Sequence, residues 1–367
     1  MPRSLARSRR LPAQRGVSLV ELMVSLALGL VLIAGVLSLY LSSQQSLRTH
    51  QGLARVQENA RLALDLMARE IRTAGVIPCG SPLTANVMVT PAASATTRPT
   101  PWWADTRAGF LRGGRDSDQG VLPAGTAVPR AAGTDSLILL RVSDDEGLYA
   151  RVLAHDTTAH QFSVAASVAA ATAGSASSTA ATVARIEDKA YALVCDSLSS
   201  ALFQVDTVQT STGFVNYPNS PRNCTTSLGT VDAACGSPAA KTFPAGALLV
   251  PWEPAFWYVG EPASGSRALY RAAPDQAGTL RPVERVPGVE SLQVDYLTRN
   301  RSSGGSLATG WVDATAFTGG WTDPAREVVA LRLTLTLGSE VTAASAGASA
   351  PLRRVFQSVV ALRGMEP

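Results

Sequence analysis

The pattern of hydrophobic and polar residues sets an N-terminal segment apart from the rest of the chain. Apolar residues dominate from Val17 to Leu41, a run of 25 positions that contains no Lys, Arg or Asp and one charged residue, Glu21. A helix of this length covers the roughly 30 Å hydrocarbon core of a bilayer. Residues 1–16 hold five arginines and no acidic residue, which predicts a cytoplasmic N-terminus. We therefore predict a membrane span over residues 17–41, with the following residues on the far side of the membrane.

The apolar pattern continues beyond Leu41 with a helical period. Apolar residues recur mostly three or four positions apart as far as Ala74, and charged residues occupy the other faces, which is typical of an amphipathic helix. No proline interrupts residues 17–76, so the two halves can form one helix. We predict this helix over residues 17–75, with Gly75 as its C-terminal cap.

Residues 76–367 change to the alternating pattern of strands. Leucine alternates with polar residues over 331–337, and residues 292–296 alternate in the same way, which predicts antiparallel strands with one wet face. The aromatic run at residues 252–258 is interpreted as strand core. Three further segments are predicted to form a meander: 136–142, 148–153 and 161–166. The predicted fold class is α+β, with a long N-terminal transmembrane and amphipathic helix packed on an antiparallel β-sheet head.

Two simpler interpretations of the apolar run fit less well. A secretory signal peptide would have its small-residue cleavage site after the apolar core, whereas Gly16 lies before it. A plain membrane anchor does not explain Glu21, because a carboxylate in a spanning helix costs roughly 2.5–3.5 kcal/mol and usually marks function.

Gly16, an apolar residue and a glutamate five positions after the glycine together resemble the prepilin-peptidase site of type IV pilins and type II secretion pseudopilins. The resemblance implies cleavage between Gly16 and Val17, removal of a 1–16 leader and N-methylation of Val17. Val17 departs from the family pattern, which more often has Phe or Met there. Cleavage would also create a new amine at Val17, and we hypothesise that Glu21 pairs with a neighbouring subunit and sets its register.

The net charge does not indicate a nucleic-acid partner. The formal charge of the whole chain is +4, from 32 basic and 28 acidic residues. Removal of a leader with five arginines leaves 27 basic residues against 28 acidic ones, a net charge of about −1. The basic character therefore belongs to the leader, and no binding of nucleic acid is expected.

All four cysteines follow the predicted membrane span, so they should face an oxidising periplasm where disulfides persist. Four cysteines allow three pairings. We favour Cys224–Cys235, because its loop is short and rich in small polar residues, together with Cys79–Cys195, which would tie the helix end to the sheet. The cysteines form no CxxC pair and the chain has three histidines, so no metal site is predicted.

The sequence offers no catalytic constellation. It contains no GxSxG motif, its histidines stand apart from one another, and its glycine-rich loop at 301–321 lacks GxGxxG or a Walker lysine. We therefore expect neither enzymatic activity nor a cofactor.

The end of the helix and the C-terminal third also resemble the PilW family of minor pilins. The segments that carry this resemblance are 58–76, 268–271, 286–296, 327–337 and 353–363. The resemblance implies a minor pilin in the inner membrane, with a single pass and a periplasmic head, that helps to initiate type IV pilus assembly and is incorporated into the pilus. Its implied partners are the prepilin peptidase, other minor pilins, the major pilin and a tip adhesin.

Two alternatives stay open at this stage. A J-type minor pseudopilin of a type II secretion system has a similar architecture, although removal of 16 residues from 367 leaves 351, which is large for that role. An adhesin or DNA-uptake module would need an exposed basic or aromatic patch.

Overall fold

The computed structural model describes residues 18–88, 101–115, 127–165, 186–218, 222–229, 240–263, 265–317, 320–345 and 348–362. Its helix α1 runs over Leu19–Thr73, and five short 3-10 helices lie at Thr106–Ala108, Glu146–Leu148, Arg301–Ser303, Ala314–Phe317 and Pro324–Arg326. The described strands are β1 (Leu83–Asn86), β2 (Leu111–Gly114), β3 (Ser136–Leu139), β4 (Ala150–Asp156), β5 (Gln161–Ala165), β6 (Tyr191–Cys195), β7 (Ser200–Gln204), β8 (Thr207–Gln209), β9 (Phe214–Asn216), β10 (Leu248–Pro251), β11 (Ala255–Gly260), β12 (Ala268–Pro274), β13 (Leu280–Pro287), β14 (Val289–Asn300), β15 (Ser306–Leu307), β16 (Glu327–Ser345) and β17 (Ala348–Ala361).

Helix α1 is continuous for 55 residues, about 83 Å at 1.5 Å per residue. It contains a stretch long and apolar enough to span a membrane, and the head buries none of that stretch. Gly75 follows with a φ of 72°, the left-handed conformation that favours glycine. Its N–H donates to Leu140 O at 3.0 Å and makes no bond back to the helix, so Gly75 joins the end of α1 to the head.

The second half of α1 buries one apolar face. The buried residues of this face recur at helical spacing. They are mainly Gly52, Val56, Ala60, Ala63, Met67 and Ile71. This face packs against β13, β16 and β17. The N-terminal part of this face consists mostly of the small residues Gly52, Ala60 and Ala63. The helix backbone therefore lies close to the sheet.

The strands form three sheets. Eight strands are ordered β1-β7-β6-β10-β4-β5-β9-β8, five are ordered β13-β12-β11-β3-β2, and four are ordered β15-β14-β16-β17. The β1–β7 pair is parallel, and the other pairs between described strands are antiparallel. The fold is therefore α+β, but its head differs from the single antiparallel sheet that the sequence predicts.

The three hydrophobic clusters place these sheets in layers. One cluster joins α1, the four-stranded sheet and one face of the five-stranded sheet, including Trp257 and Leu333. A second joins the opposite face of the five-stranded sheet to the eight-stranded sheet, through side chains such as Phe256 and Leu193. A third covers the far face of the eight-stranded sheet. Strands β3 and β11 of the five-stranded sheet are consequently buried on both sides, whereas most residues of its edge strand β13 are exposed or partly exposed.

The C-terminal alternation predicted from the sequence is confirmed. Leu292, Val294 and Tyr296 on β14 are buried, and Val294 lies opposite Leu333 in the antiparallel β14–β16 pair. The prediction that the 252–258 aromatic residues form strand core is also confirmed, since every residue of β11 is buried.

The predicted meander over 136–166 is confirmed for its second and third strands and is wrong for its first strand. Strand β3 pairs with β2 and β11 in the five-stranded sheet, whereas β4 and β5 form a hairpin in the eight-stranded sheet. All four residues of β3 are buried, as is typical of a strand covered on both faces, while β4 alternates between buried and exposed residues. A 3-10 turn at Glu146–Leu148 carries the chain from one layer to the next.

Candidate functional site

The N-terminal end of α1 presents Glu21 in the first helical turn, where it is exposed. Ser18 occupies the N-cap position but its side chain makes no capping bond, and its carbonyl accepts from Leu22 N at 3.0 Å. A carboxylate in the first turn interacts favourably with the positive end of the helix dipole. The predicted cleavage residues Gly16 and Val17 lie outside the described residues.

The apolar side chains around Glu21 are uncovered. Leu19 is 73% exposed and Met23 is 62% exposed, and the same holds along the stretch to Leu41. Exposure of this much apolar surface to water is unfavourable by roughly 25 cal/mol per Å². Since the head covers none of it, lipid or the helices of other chains must.

Two glycines lie in this uncovered stretch. A Cβ atom added at Gly29 or Gly35 would meet no atom of the chain within 4 Å. Neither glycine is therefore required by contacts within the protein, and both leave room for close approach of another helix. Ser38 bonds within the helix, donating to Gly35 O at 2.8 Å.

The structure joins Cys79 and Cys195 in a disulfide with a Cα–Cα distance of 5.9 Å. Cys79 follows the end of α1 and Cys195 ends β6, so the bond links the helix terminus to the eight-stranded sheet. Cys224 is also disulfide-bonded. Cys235, its predicted partner, lies outside the described residues.

A buried charged cluster, not predicted from the sequence, lies between α1 and the five-stranded sheet. Glu70 is 9% exposed, and one of its oxygens accepts from Arg271 Nε at 2.7 Å and from Arg141 Nη2 at 3.3 Å. Its other oxygen accepts from Trp257 Nε1 at 2.6 Å. One signal for this cluster was present, since Glu70 continues the apolar spacing of Ala63 and Met67 on α1.

Further carboxylates extend the cluster. Arg141 also donates to Glu253 at 3.1 Å and to Asp144 at 3.5 Å, and Arg69 contacts Asp144 as well. Burial alone would raise the pKa of Asp144, but Arg141 and Arg69 outweigh it and hold this pKa below its usual value. Removing one partner of the buried Glu70–Arg141 pair costs about 3–5 kcal/mol, because it leaves an unpaired charge.

The histidines do not form a metal site in the described part of the chain, where no group of three or more His, Cys, Asp or Glu residues could hold an ion. His155 instead packs in an aromatic cluster with Phe162 and Tyr217. Phe243 N donates to its Nδ1 at 3.1 Å, so the neutral ring carries its proton on Nε2, which lies 2.8 Å from the Tyr217 hydroxyl.

Comparison with protein families matches residues 11–37 to the prokaryotic N-terminal methylation motif. Comparisons with curated proteins and with solved structures give no significant match. The matched segment contains Gly16, Val17 and Glu21, and it overlaps the start of the uncovered apolar helix. Motif and helix together support a type IV pilin-type or pseudopilin-type protein and fit a single-pass anchor in the inner membrane. A motif of this type implies processing by prepilin peptidase and assembly with other pilins.

Proposed function

We propose that this protein is a minor pilin of the PilW type that helps to initiate type IV pilus assembly as part of a minor-pilin complex at or near the pilus tip. The observation that carries the proposal is the methylation motif at 11–37, which leads into a 55-residue helix whose first half the head leaves bare. Such a helix is suited to lie first in the membrane and then among other helices. The large layered head supports a specialised subunit rather than a repeating one.

The proposed role is non-enzymatic and requires no cofactor. Its partners would be other minor pilins, the major pilin and a tip adhesin, with the head in the periplasm before assembly. A J-type pseudopilin of type II secretion is the alternative within the same machinery. The size of the head favours the pilus, because 351 residues would follow the leader.

Deletion of the gene in its native host tests the proposal. We expect surface pili to fall sharply, type II secretion to stay at the wild-type level, and complementation to restore the pili. Co-purification of the complemented, tagged protein should recover other minor pilins. Normal piliation combined with lost secretion would assign the protein to the pseudopilus and overturn the proposal.

A further inference from the structure

A cavity of about 510 Å³ opens beside the charged cluster at the C-terminal end of α1. Its lining comes from α1 through Leu66 and Glu70, from β11 through Trp257, from β12 through Arg271 and from β6 through Tyr191. Ligand pockets in proteins commonly have volumes of roughly 300–1,000 Å³. Neither the proposed pilin role nor the methylation motif assigns anything to this cavity.

The charges around the cavity leave one positive charge in excess. Its lining contains four arginines and three carboxylates: Arg69, Arg141, Arg271 and Arg285, with Glu70, Asp144 and Glu253. A singly charged anion would balance this lining. A phosphate dianion would place two negative charges on one group close to three carboxylates, whereas a dicarboxylate can place one carboxylate in the cavity and keep the other in solvent.

The carboxylates are already engaged, while arginine donors remain. Both oxygens of Glu70 accept hydrogen bonds, and Arg141 shares its Nη2 between Glu70 and Glu253. The Nε of Arg141 is buried without an acceptor in the described part of the chain. Donors therefore outnumber acceptors in this cluster.

Arg271 and Arg285 supply the available donors. The Arg271 side chain is 14% exposed and its Nε is held by Glu70, but its two Nη atoms have no acceptor among the described residues. Arg285 is exposed on β13 and has no ion-pair partner in the same part of the protein. A guanidinium with two free nitrogens matches the two oxygens of a carboxylate.

We propose that this cavity is a carboxylate-binding site in which Arg271 and Arg285 hold the anion. Trp252, Pro254 and Trp257 also line the cavity, and their apolar atoms suit the methylene groups that carry a carboxylate. The carboxylate belongs either to an acidic side chain of a partner polypeptide or to a small free dicarboxylate. The inference is independent of the proposed pilin role.

Titration of the full-length protein in detergent micelles tests the site. With ¹⁵N-labelled tryptophan, the indole N–H of Trp257 reports on the cavity, because it bonds Glu70 directly. The probes are N-acetyl-Ala-Glu-Ala-amide, the same peptide with Gln in place of Glu, glutarate and inorganic phosphate. We expect saturable shifts with the Glu peptide, with glutarate or with both, and at least about tenfold weaker binding of the Gln peptide and of phosphate. Binding of the Glu peptide alone identifies a polypeptide source, and preference for glutarate identifies a small molecule.

Arg285→Ala should weaken binding of the preferred probe by about tenfold, since the substitution removes one charge-assisted contact. Arg354→Ala is the matched control, because Arg354 is also exposed but lies on β17 and does not line the cavity. Arg285→Gln provides a second variant if the alanine variant is poorly folded. Equal binding of the Glu and Gln peptides, tighter binding of phosphate, no saturable shift, or unchanged affinity in both Arg285 variants would each overturn the proposal.

Discussion

Glu21 is the residue at which the membrane segment departs from a simple anchor. Its carboxylate lies in an apolar run, and the head covers none of the side chains around it. A charge in a low-dielectric setting is tolerated when a partner charge lies opposite, and leaving it unpaired is costly. We hypothesise that this partner is the amine that cleavage before Val17 would create, supplied by an adjacent subunit.

Glu21→Ala should therefore leave cleavage and head folding intact while lowering incorporation into pili by about tenfold or more, because 1.4 kcal/mol already corresponds to a factor of ten. The measurement is surface pilus yield together with co-purification of partner pilins. Glu21→Asp should retain part of the function, and Glu58→Ala, which removes an exposed carboxylate farther along α1, should behave as wild type. Full assembly of Glu21→Ala at normal expression would contradict the pairing role.

His155 links the stability of the eight-stranded sheet to pH. Burial is the main reason that its pKa falls from the ordinary 6.5 to about 4, with Asp156 opposing and His160 reinforcing the shift. Between these two pH values the unfolded chain binds a proton at His155 that the folded chain does not. The contribution of His155 to the free energy of unfolding is therefore fully present above pH 6.5. It declines as the pH falls towards 4 and changes no further below pH 4.

We expect the free energy of unfolding to drop by about 1–2 kcal/mol from this source between pH 6.5 and 4, since solvent screens a half-buried ring. Urea denaturation across this pH range measures the slope. His155→Gln should reduce this dependence of the unfolding free energy on pH. His50→Gln, at an exposed position on α1, should leave the dependence unchanged. An unchanged slope in His155→Gln would show that another group titrates.

At the scale of elements, the end of α1 is held to the head by three separate means. The apolar face packs on β16 and β17, the Glu70 cluster bonds it to the five-stranded sheet, and the disulfide ties the following loop to the eight-stranded sheet. These contacts fix the direction of α1 relative to the head. Another protein chain that binds the exposed half of α1 therefore also orients the whole head.

Removal of the Cys79–Cys195 bond should lower the free energy of unfolding by about 2–5 kcal/mol, because the bond closes a loop with a sequence separation of 116. Denaturation of the Cys79→Ser, Cys195→Ser double variant measures this loss. Non-reducing peptide mapping of the wild type should link Cys79 to Cys195 and Cys224 to Cys235. A peptide that joins Cys79 to Cys224, or free thiols at all four positions, would refute the assignment.

At the scale of the whole molecule, we predict that the membrane segment and the head are separable. The head begins to bury α1 at Gly52, and nothing before that residue on the described part of the helix is buried. A truncated protein beginning at residue 45 and exported to the periplasm should therefore be soluble and fold with its disulfide intact.

The matched truncation begins at residue 61 and removes Gly52, Val56 and Ala60 from the helix–sheet contact. It should be less stable by about 1.5–3 kcal/mol or more, since burial of Val56 alone contributes an amount of that order. Thermal denaturation of both proteins compares them. Equal stability of the two, or insolubility of the longer one, would contradict this division of the molecule.

The sequence alone determined the features that depend on local periodicity. The apolar run predicted the uncovered stretch of α1, the three- and four-residue spacing predicted its buried face, and the alternation over 331–337 predicted the face that β16 turns to the core. These predictions succeed because helices and strands repeat their side-chain directions over a few residues.

Only the tertiary structure decided which strands share a sheet and which charges meet. Strand β3 joins β11 rather than β4, and Glu70 meets Arg141, Trp257 and Arg271 across sequence separations of 71, 187 and 201 residues. Local patterns carry no information on such pairings, because many partners satisfy the same alternation or the same charge. The carboxylate cavity belongs to this second group, since its lining combines the neighbouring strands β12 and β13 with residues of α1, β6 and β11 that are distant in sequence.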